Sequence, residues 1–316
     1  MATVSGTIDH TGGNAHVAHH FDSAQQQFDA GKLGMWLFLV TEVLFFSGLF
    51  VAYAVYRSNH SEVFLDAHKY LNTSLGALNT IVLLLSSLTM AWSVRCAQLG
   101  EKRRLVFLLA ITLACASFFL GVKAVEYSHK WNEGLLWAGA YSAGAPDHGG
   151  HSAGLWKPMA ILSTPAAVAI AISALLFLIA KKRNAVVASR FWLALLISTA
   201  TYFVGLGVGY AVEHATTSDP AHHTEDSTTA TGLKAAEANS EQRRFTGVFF
   251  SIYYAMTGVH AIHVLAGMGV IAWLMLRAMR GEFGPDYFGP VDYVGLYWHL
   301  VDLVWIYLFP LLYLIR

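Results

Sequence analysis

Cysteine and charge are the two things this sequence is short of. Only two cysteines occur in 316 residues, Cys96 and Cys115, and both fall in or at the end of apolar runs. Thiols embedded in lipid serve as small apolar side chains, so no disulfide framework is expected. Charged residues make up 13% of the chain, against about 25% in an ordinary globular domain, which excludes a soluble fold. The formal net charge is +0, so the chain lacks the basic face that capture of nucleic acid requires. The first 32 residues are polar and bear histidines, without the basic-then-apolar pattern of a cleaved signal peptide. The first apolar run is therefore expected to direct insertion itself.

What remains is apolar. Hydrophobic residues are 55% of the chain and the mean hydropathy is +0.48. A bilayer core about 30 Å thick needs about 20 apolar residues in helix, because each backbone polar group must be satisfied within its own segment. Seven runs are long enough: 33–56, 71–94, 105–129, 159–180, 191–212, 245–276 and 293–315. The expected fold is an all-α integral membrane protein, seven transmembrane helices in a bundle. The sixth run exceeds one upright span and should tilt or project beyond the lipid. With the N-terminus taken as one side, that side holds 11 Lys and Arg and the other holds 8, with dense clusters in the short connections at 102–104 and 181–183. Short basic connections stay in the cytoplasm, so the N-terminus is expected there and the C-terminus outside.

Two connections on the far side differ in composition. Residues 131–156 are rich in glycine and carry His148 and His151, while 214–242 is a Ser/Thr/Ala/Glu stretch with His222 and His223. Neither polar part shows a helical or strand period, so both read as exposed segments, either solvated connections or docking surfaces. A faint echo links 121–126 (GVKAVE) to 207–213 (GVGYAVE); with so much Gly, Ala and Val, coincidence explains it.

Titratable side chains at bilayer depth cost several kcal/mol unless paired or hydrated, so each needs a reason. Glu42 lies nine residues into the first run, about 14 Å along the helix and near the membrane middle. Phe38, Phe45 and Phe46 share its face at spacings of three and four. It is either a neutral hydrogen-bonding carboxyl or a proton-exchangeable group near a helix interface. Lys123 and Glu126 are three apart, which allows an intrahelical ion pair, and they sit near a helix end where both can snorkel. In Thr257-Gly258-Val259-His260-Ala261-Ile262-His263 the two histidines share one face, and Gly267 beyond them admits close approach of another helix. In Tyr297-Trp298-His299-Leu300-Val301-Asp302 the carboxylate of Asp302 is placed to orient the His299 imidazole. These groups form either an interhelical polar cluster or, in the case of His260 and His299, axial ligands to a haem held between helices.

Five stretches together resemble subunit III of cytochrome c oxidase. They are Gly34-Met35-Trp36-Leu37-Phe38 through Thr41-Glu42-Val43-Leu44-Phe45-Phe46-Ser47-Gly48; Leu78-Asn79-Thr80 with Ser86-Ser87; Phe119-Leu120-Gly121 to Glu126-Tyr127; Thr257-Gly258-Val259-His260 with His263-Val264 and Gly267; and Tyr297-Trp298-His299-Leu300-Val301-Asp302 with Val304-Trp305. They occur in the family's order and cover about 32–130 and 243–316. The resemblance divides the chain into a polar cytoplasmic segment (1–32), three family-like spans (33–130), an inserted region of external loops and two spans (131–242) and the last two spans (243–316). Two departures stand out. Lys123 occupies the position where the family usually has glutamine, and the two helices that begin many members are absent from this chain.

The resemblance implies an accessory, non-catalytic subunit of a proton-pumping terminal haem-copper oxidase in the bacterial inner membrane. Such a subunit has no haem or copper of its own, packs mainly against subunit I and also near subunit II, binds phospholipid and supports proton uptake. By position, Glu42 corresponds to the family's carbodiimide-reactive carboxyl, and Glu126, Lys123, His260, His263, His299 and Asp302 to its intramembrane polar set. No catalytic residue and no metal ligand is expected. Competing readings are an accessory subunit of a nitric oxide reductase, a haem-b membrane anchor, and a transporter using Glu42. The transporter reading is disfavoured because no pair of broken helices appears in corresponding halves.

Overall fold

The computed structural model describes residues 18–137, 156–217 and 232–315. Among them the chain forms eight α-helices and one 3-10 turn, with a lone bridge between Gly284 and Tyr287. The helices are α1 (Ala24–Asn59), α2 (Ser61–Ala67), α3 (Thr73–Gln98), α4 (Lys102–Asn132), α5 (Trp156–Lys182), α6 (Val186–Thr217), α7 (Gly232–Arg280) and α8 (Gly289–Tyr313). All but the short α2 are long and apolar enough to cross a bilayer. The protein is therefore a multi-pass membrane protein, as the hydropathy predicts. His148, His151, His222 and His223 lie outside the described residues.

Two boundaries differ from the sequence reading. α1 begins nine residues before the apolar run, inside the segment read as a polar tail. Ser23 caps it, its hydroxyl accepting from the Gln26 amide at 3.1 Å and satisfying one of the free N–H groups of the first turn. α7 starts at Gly232, so the last part of the polar connection 214–242 is helical. That stretch has no apolar period, but Leu, Lys, Ala, Glu, Gln and Arg are strong helix formers, and propensity decides where packing does not. At 49 residues α7 far exceeds one span.

α4 is the core helix, with 16 of its residues buried, whereas α1 has three. It packs against α3, α6 and α7, while α8 joins α1, α3 and α7. In lipid no hydrophobic force draws helices together, so close backbone contact and interhelical hydrogen bonds must do it. The α4–α6 seam uses both. A Cβ placed on Gly121 would stand 2.1 Å from the Tyr202 carbonyl oxygen, and one on Gly205 would stand 2.3 Å from that of Phe118. Only glycine fits at this separation. Nearby, the Ser198 and Thr201 hydroxyls donate to the carbonyls of Ala110 (3.2 Å) and Ala114 (2.8 Å).

α5 lies outside α6. Its internal Pro165 cannot donate a backbone bond, and Tyr202 of α6 donates to the Leu162 carbonyl at 3.2 Å beside that break. α1 is tied to α8 near both ends. Tyr293 donates to the Phe28 carbonyl at 2.8 Å and Lys32 pairs with Asp292 at 3.4 Å, while Tyr53 bonds the Leu311 carbonyl at the other end.

Candidate functional site

The seven singled-out titratable residues all lie on spanning helices, but they divide among separate hydrogen-bond groups. Glu42 on α1 meets His263 on α7, with Oε2 to Nε2 at 2.9 Å. The other ring nitrogen, Nδ1, is 2.8 Å from the Val259 carbonyl. A carbonyl oxygen only accepts, so Nδ1 carries a hydrogen, and the bond network thereby assigns the tautomer. One proton is left for the Glu42–His263 contact. It sits on the carboxyl or on Nε2, and in either position the pair as a whole is neutral. That balance removes most of the cost of placing two titratable groups in the bilayer. Both side chains retain some exposure, 17% for Glu42 and 19% for His263, so the pair lies at the bundle surface. The Phe45 and Phe46 rings lie tilted against the imidazole, and Tyr297 donates to the His263 carbonyl at 3.0 Å.

The second group is larger than the sequence showed. Lys123 and Glu126 pair at 2.8 Å, and both are almost fully buried. They do not snorkel, because partners reach them inside the bundle. Lys123 also donates to Tyr313 (2.9 Å) and Tyr253 (3.2 Å), which uses all three of its N–H bonds. Both tyrosines in turn donate to Glu126 Oε1, and Lys130 reaches the same oxygen at 3.2 Å. The Lys123 ammonium further lies 5.0 Å from the Trp305 ring, a cation–π contact that strengthens when desolvated. Lys130 stands just past the apolar run 105–129, where a charge of the external connection is expected. It is instead buried at 2% exposure, since residues 123, 126 and 130 follow one helix face. That spacing is the signal that could have found it. Tyr253 and Tyr313 are far apart in sequence and gave none.

The third group joins α3 to α8. His299 Nδ1 is 2.6 Å from Ser87 Oγ, and Asp302 Oδ2 is 3.4 Å from Ser86 Oγ. Trp298 donates its indole N–H to the same Ser86 at 3.1 Å. The imidazole is thus oriented by a serine on the neighbouring helix, and the expected His299–Asp302 contact does not form. His260 stands alone. It is fully buried with no protein partner on either nitrogen, its ring against Trp305 and Phe119. His260 and His263 therefore face different surroundings despite their shared sequence motif. Gly267 does admit α8, since a Cβ there would stand 2.8 Å from the Trp298 ring.

Fold and site together define a polytopic helical membrane protein whose singled-out titratable groups within the spans, His260 excepted, are hydrogen-bonded within α4 or across helix seams. The chain belongs to the cytochrome c oxidase subunit III family, which it matches over residues 13–132 and 227–315. The unmatched stretch between them holds α5 and α6, a two-helix insertion. Among curated proteins it is similar to a probable cytochrome c oxidase subunit 3 of Mycobacterium leprae, 31% identical over 43% of this chain and 55% of that one. A cytochrome c oxidase subunit 3 of Corynebacterium diphtheriae is 28% identical over 63% of this chain and 82% of that protein. A heme-copper oxidase subunit I+III of Aeropyrum pernix is 37% identical over 22% of this chain and 9% of its own length. The chain spans about half the length, or less, of most of these curated relatives.

Proposed function

We propose that this chain is a non-catalytic subunit of a proton-pumping haem-copper oxidase of aerobic respiration, in a bacterial inner membrane with its N-terminus in the cytoplasm. Family membership carries the reading. The name of the Aeropyrum pernix relative joins subunits I and III in one chain, which supports subunit I as the main neighbour here, with subunit II close by. In this reading haem and copper reside in the partner subunits. The engagement of both ring nitrogens of His263, by Glu42 and by the Val259 carbonyl, supports that assignment for this imidazole, which has no nitrogen left for a metal.

Glu42 and His263 act as a surface-facing proton store that supports proton uptake by the catalytic subunit, and phospholipid binds along the bundle. The test is purification of the native complex. The chain should copurify with a haem-copper subunit, and the separated chain should show no visible haem band. A haem spectrum from the chain alone would sink the proposal. In the same preparation a hydrophobic carbodiimide should label Glu42, and Glu42→Gln should abolish labelling while leaving assembly intact. Labelling that survives Glu42→Gln would remove this residue from its role.

A further inference from the structure

One end of the bundle, where α4 and α6 begin and α5 ends, carries cations that pair with no acidic side chain among the described residues. Arg103, Lys181, Lys182, Arg183 and Arg190 are all exposed, and none is in an ion pair among the described residues. The nearby Glu101 is already bonded to Arg104 at 2.9 Å, and the stretch 179–195 contains no acidic residue.

Membrane topology explains cations in a connection, but it does not explain where two of these sit. Arg103 is the second residue of α4 and Arg190 the fifth of α6, and neither helix has an acidic residue in its first turn. A helix N-terminus carries about half a positive charge, so a cation there is disfavoured. The two helices also run parallel and in register. Ser198 bonds Ala110 and Thr201 bonds Ala114 at sequence separations of 88 and 87, and Gly205 packs on Phe118 at the same offset. That offset pairs Arg190 with Arg103. Arg103 lies two helical turns before Ala110, and Arg190 lies three before Thr201, so both fall at the mouth of the α4–α6 seam. Two helix N-termini and two arginines therefore converge, with the basic turn 181–183 beside them. Exposed apolar side chains follow toward the bilayer: Leu178 (56%) and Ile179 (38%) on α5, and Leu193 (40%) and Ile197 (58%) on α6 beyond Arg190.

We propose that this end of the inserted hairpin binds the phosphate headgroup of an anionic phospholipid, whose acyl chains lie along α5 and α6. The inference rests on the membrane fold and is independent of the oxidase assignment. Each cation near an anionic headgroup is worth about fivefold in binding, and the attraction is screened by salt.

The test uses the full chain in mild detergent, titrated with dioleoylphosphatidylglycerol or dioleoylphosphatidylcholine and read by native mass spectrometry. Phosphatidylglycerol should bind preferentially, and Arg103→Gln with Arg190→Gln should lower its occupancy at least about fivefold while leaving phosphatidylcholine unchanged. In lipid-free detergent the same double variant should melt no lower than the parent, because like-charge repulsion has been removed. Lys69→Gln, at the opposite end of the bundle, should change nothing. Equal binding of the two lipids, undiminished phosphatidylglycerol binding by the double variant, or an equal loss from Lys69→Gln would overturn the proposal. So would competition by inorganic phosphate at the lipid's own concentration, which would make the site one for a soluble anion. If the double variant does not fold, Lys182→Gln with Arg183→Gln in the exposed turn reads the same site.

Discussion

At the scale of single residues, charge counting separates two substitutions that look alike. Lys123, Lys130 and Glu126 form one buried group, two cations to one anion. Replacing Lys123 by Gln leaves Lys130 and Glu126 as a balanced pair, and glutamine still bonds the tyrosine hydroxyls. The expected cost is at most about 1 kcal/mol, the net value of a typical hydrogen bond. Replacing Glu126 by Gln leaves two buried ammonium groups without an anion, and breaking a buried pair in this way costs about 3–5 kcal/mol. Thermal or denaturant unfolding of the purified protein should therefore show Lys123→Gln near the parent and Glu126→Gln strongly destabilised. Equal effects would mean that the anion is not what holds this group together.

At the scale of elements, the α4–α6 seam is the contact with the least room. Gly121 and Gly205 each meet backbone atoms of the opposite helix, which cannot rotate aside as a side chain can. Gly205→Leu should therefore force the two helices apart and detach the α5–α6 hairpin while the other five spans stay packed. Cysteine pairs engineered across the seam should lose cross-linking in that variant, and cross-linking between α3 and α8 should persist. Loss of both would indicate that the hairpin is needed for the whole bundle to fold. The echo between 121–126 and 207–213 lies along this same seam, where the parallel register sets the two stretches side by side. Gly121 and Gly209 meet the opposite helix there, whereas a Cβ on Gly207 would meet nothing within 4 Å, so the packing does not match the two stretches residue for residue.

At the scale of the whole molecule, α4 is enclosed while α1 lies on the outside, with Leu39, Phe46 and Tyr53 its buried residues, and is held to α7 and α8 by polar contacts and by aromatic ones such as Phe28–Tyr293 and Phe46–His263. Such an element should open first, because local stability follows buried contact. Removing the end ties with Tyr53→Phe and Tyr293→Phe loses two interhelical bonds, each worth on the order of 0.6 kcal/mol in a membrane bundle. Hydrogen exchange followed by mass spectrometry should then rise across α1 and stay unchanged in α4; a uniform rise would show that α1 is part of the cooperative core.

The seven spans, the membrane setting, the family and the place of Glu42 within the first span were all legible in the chain alone. Long apolar helices satisfy their own backbone, so they are a local property, and a charge among twenty apolar residues is visible without a fold. The capped start of α1 and the helical start of α7 were obscured because polar helices outside the lipid leave no hydropathy signal. Which partner each charged group takes was decided only in three dimensions. Lys123 found two tyrosines more than a hundred residues away, Glu42 found His263, and His299 turned to Ser87 rather than to its sequence neighbour Asp302. Burial of a charge in lipid demands an opposite charge or a hydrogen bond, but helix packing selects which of the available groups stands within 3 Å, and that depends on how whole helices meet.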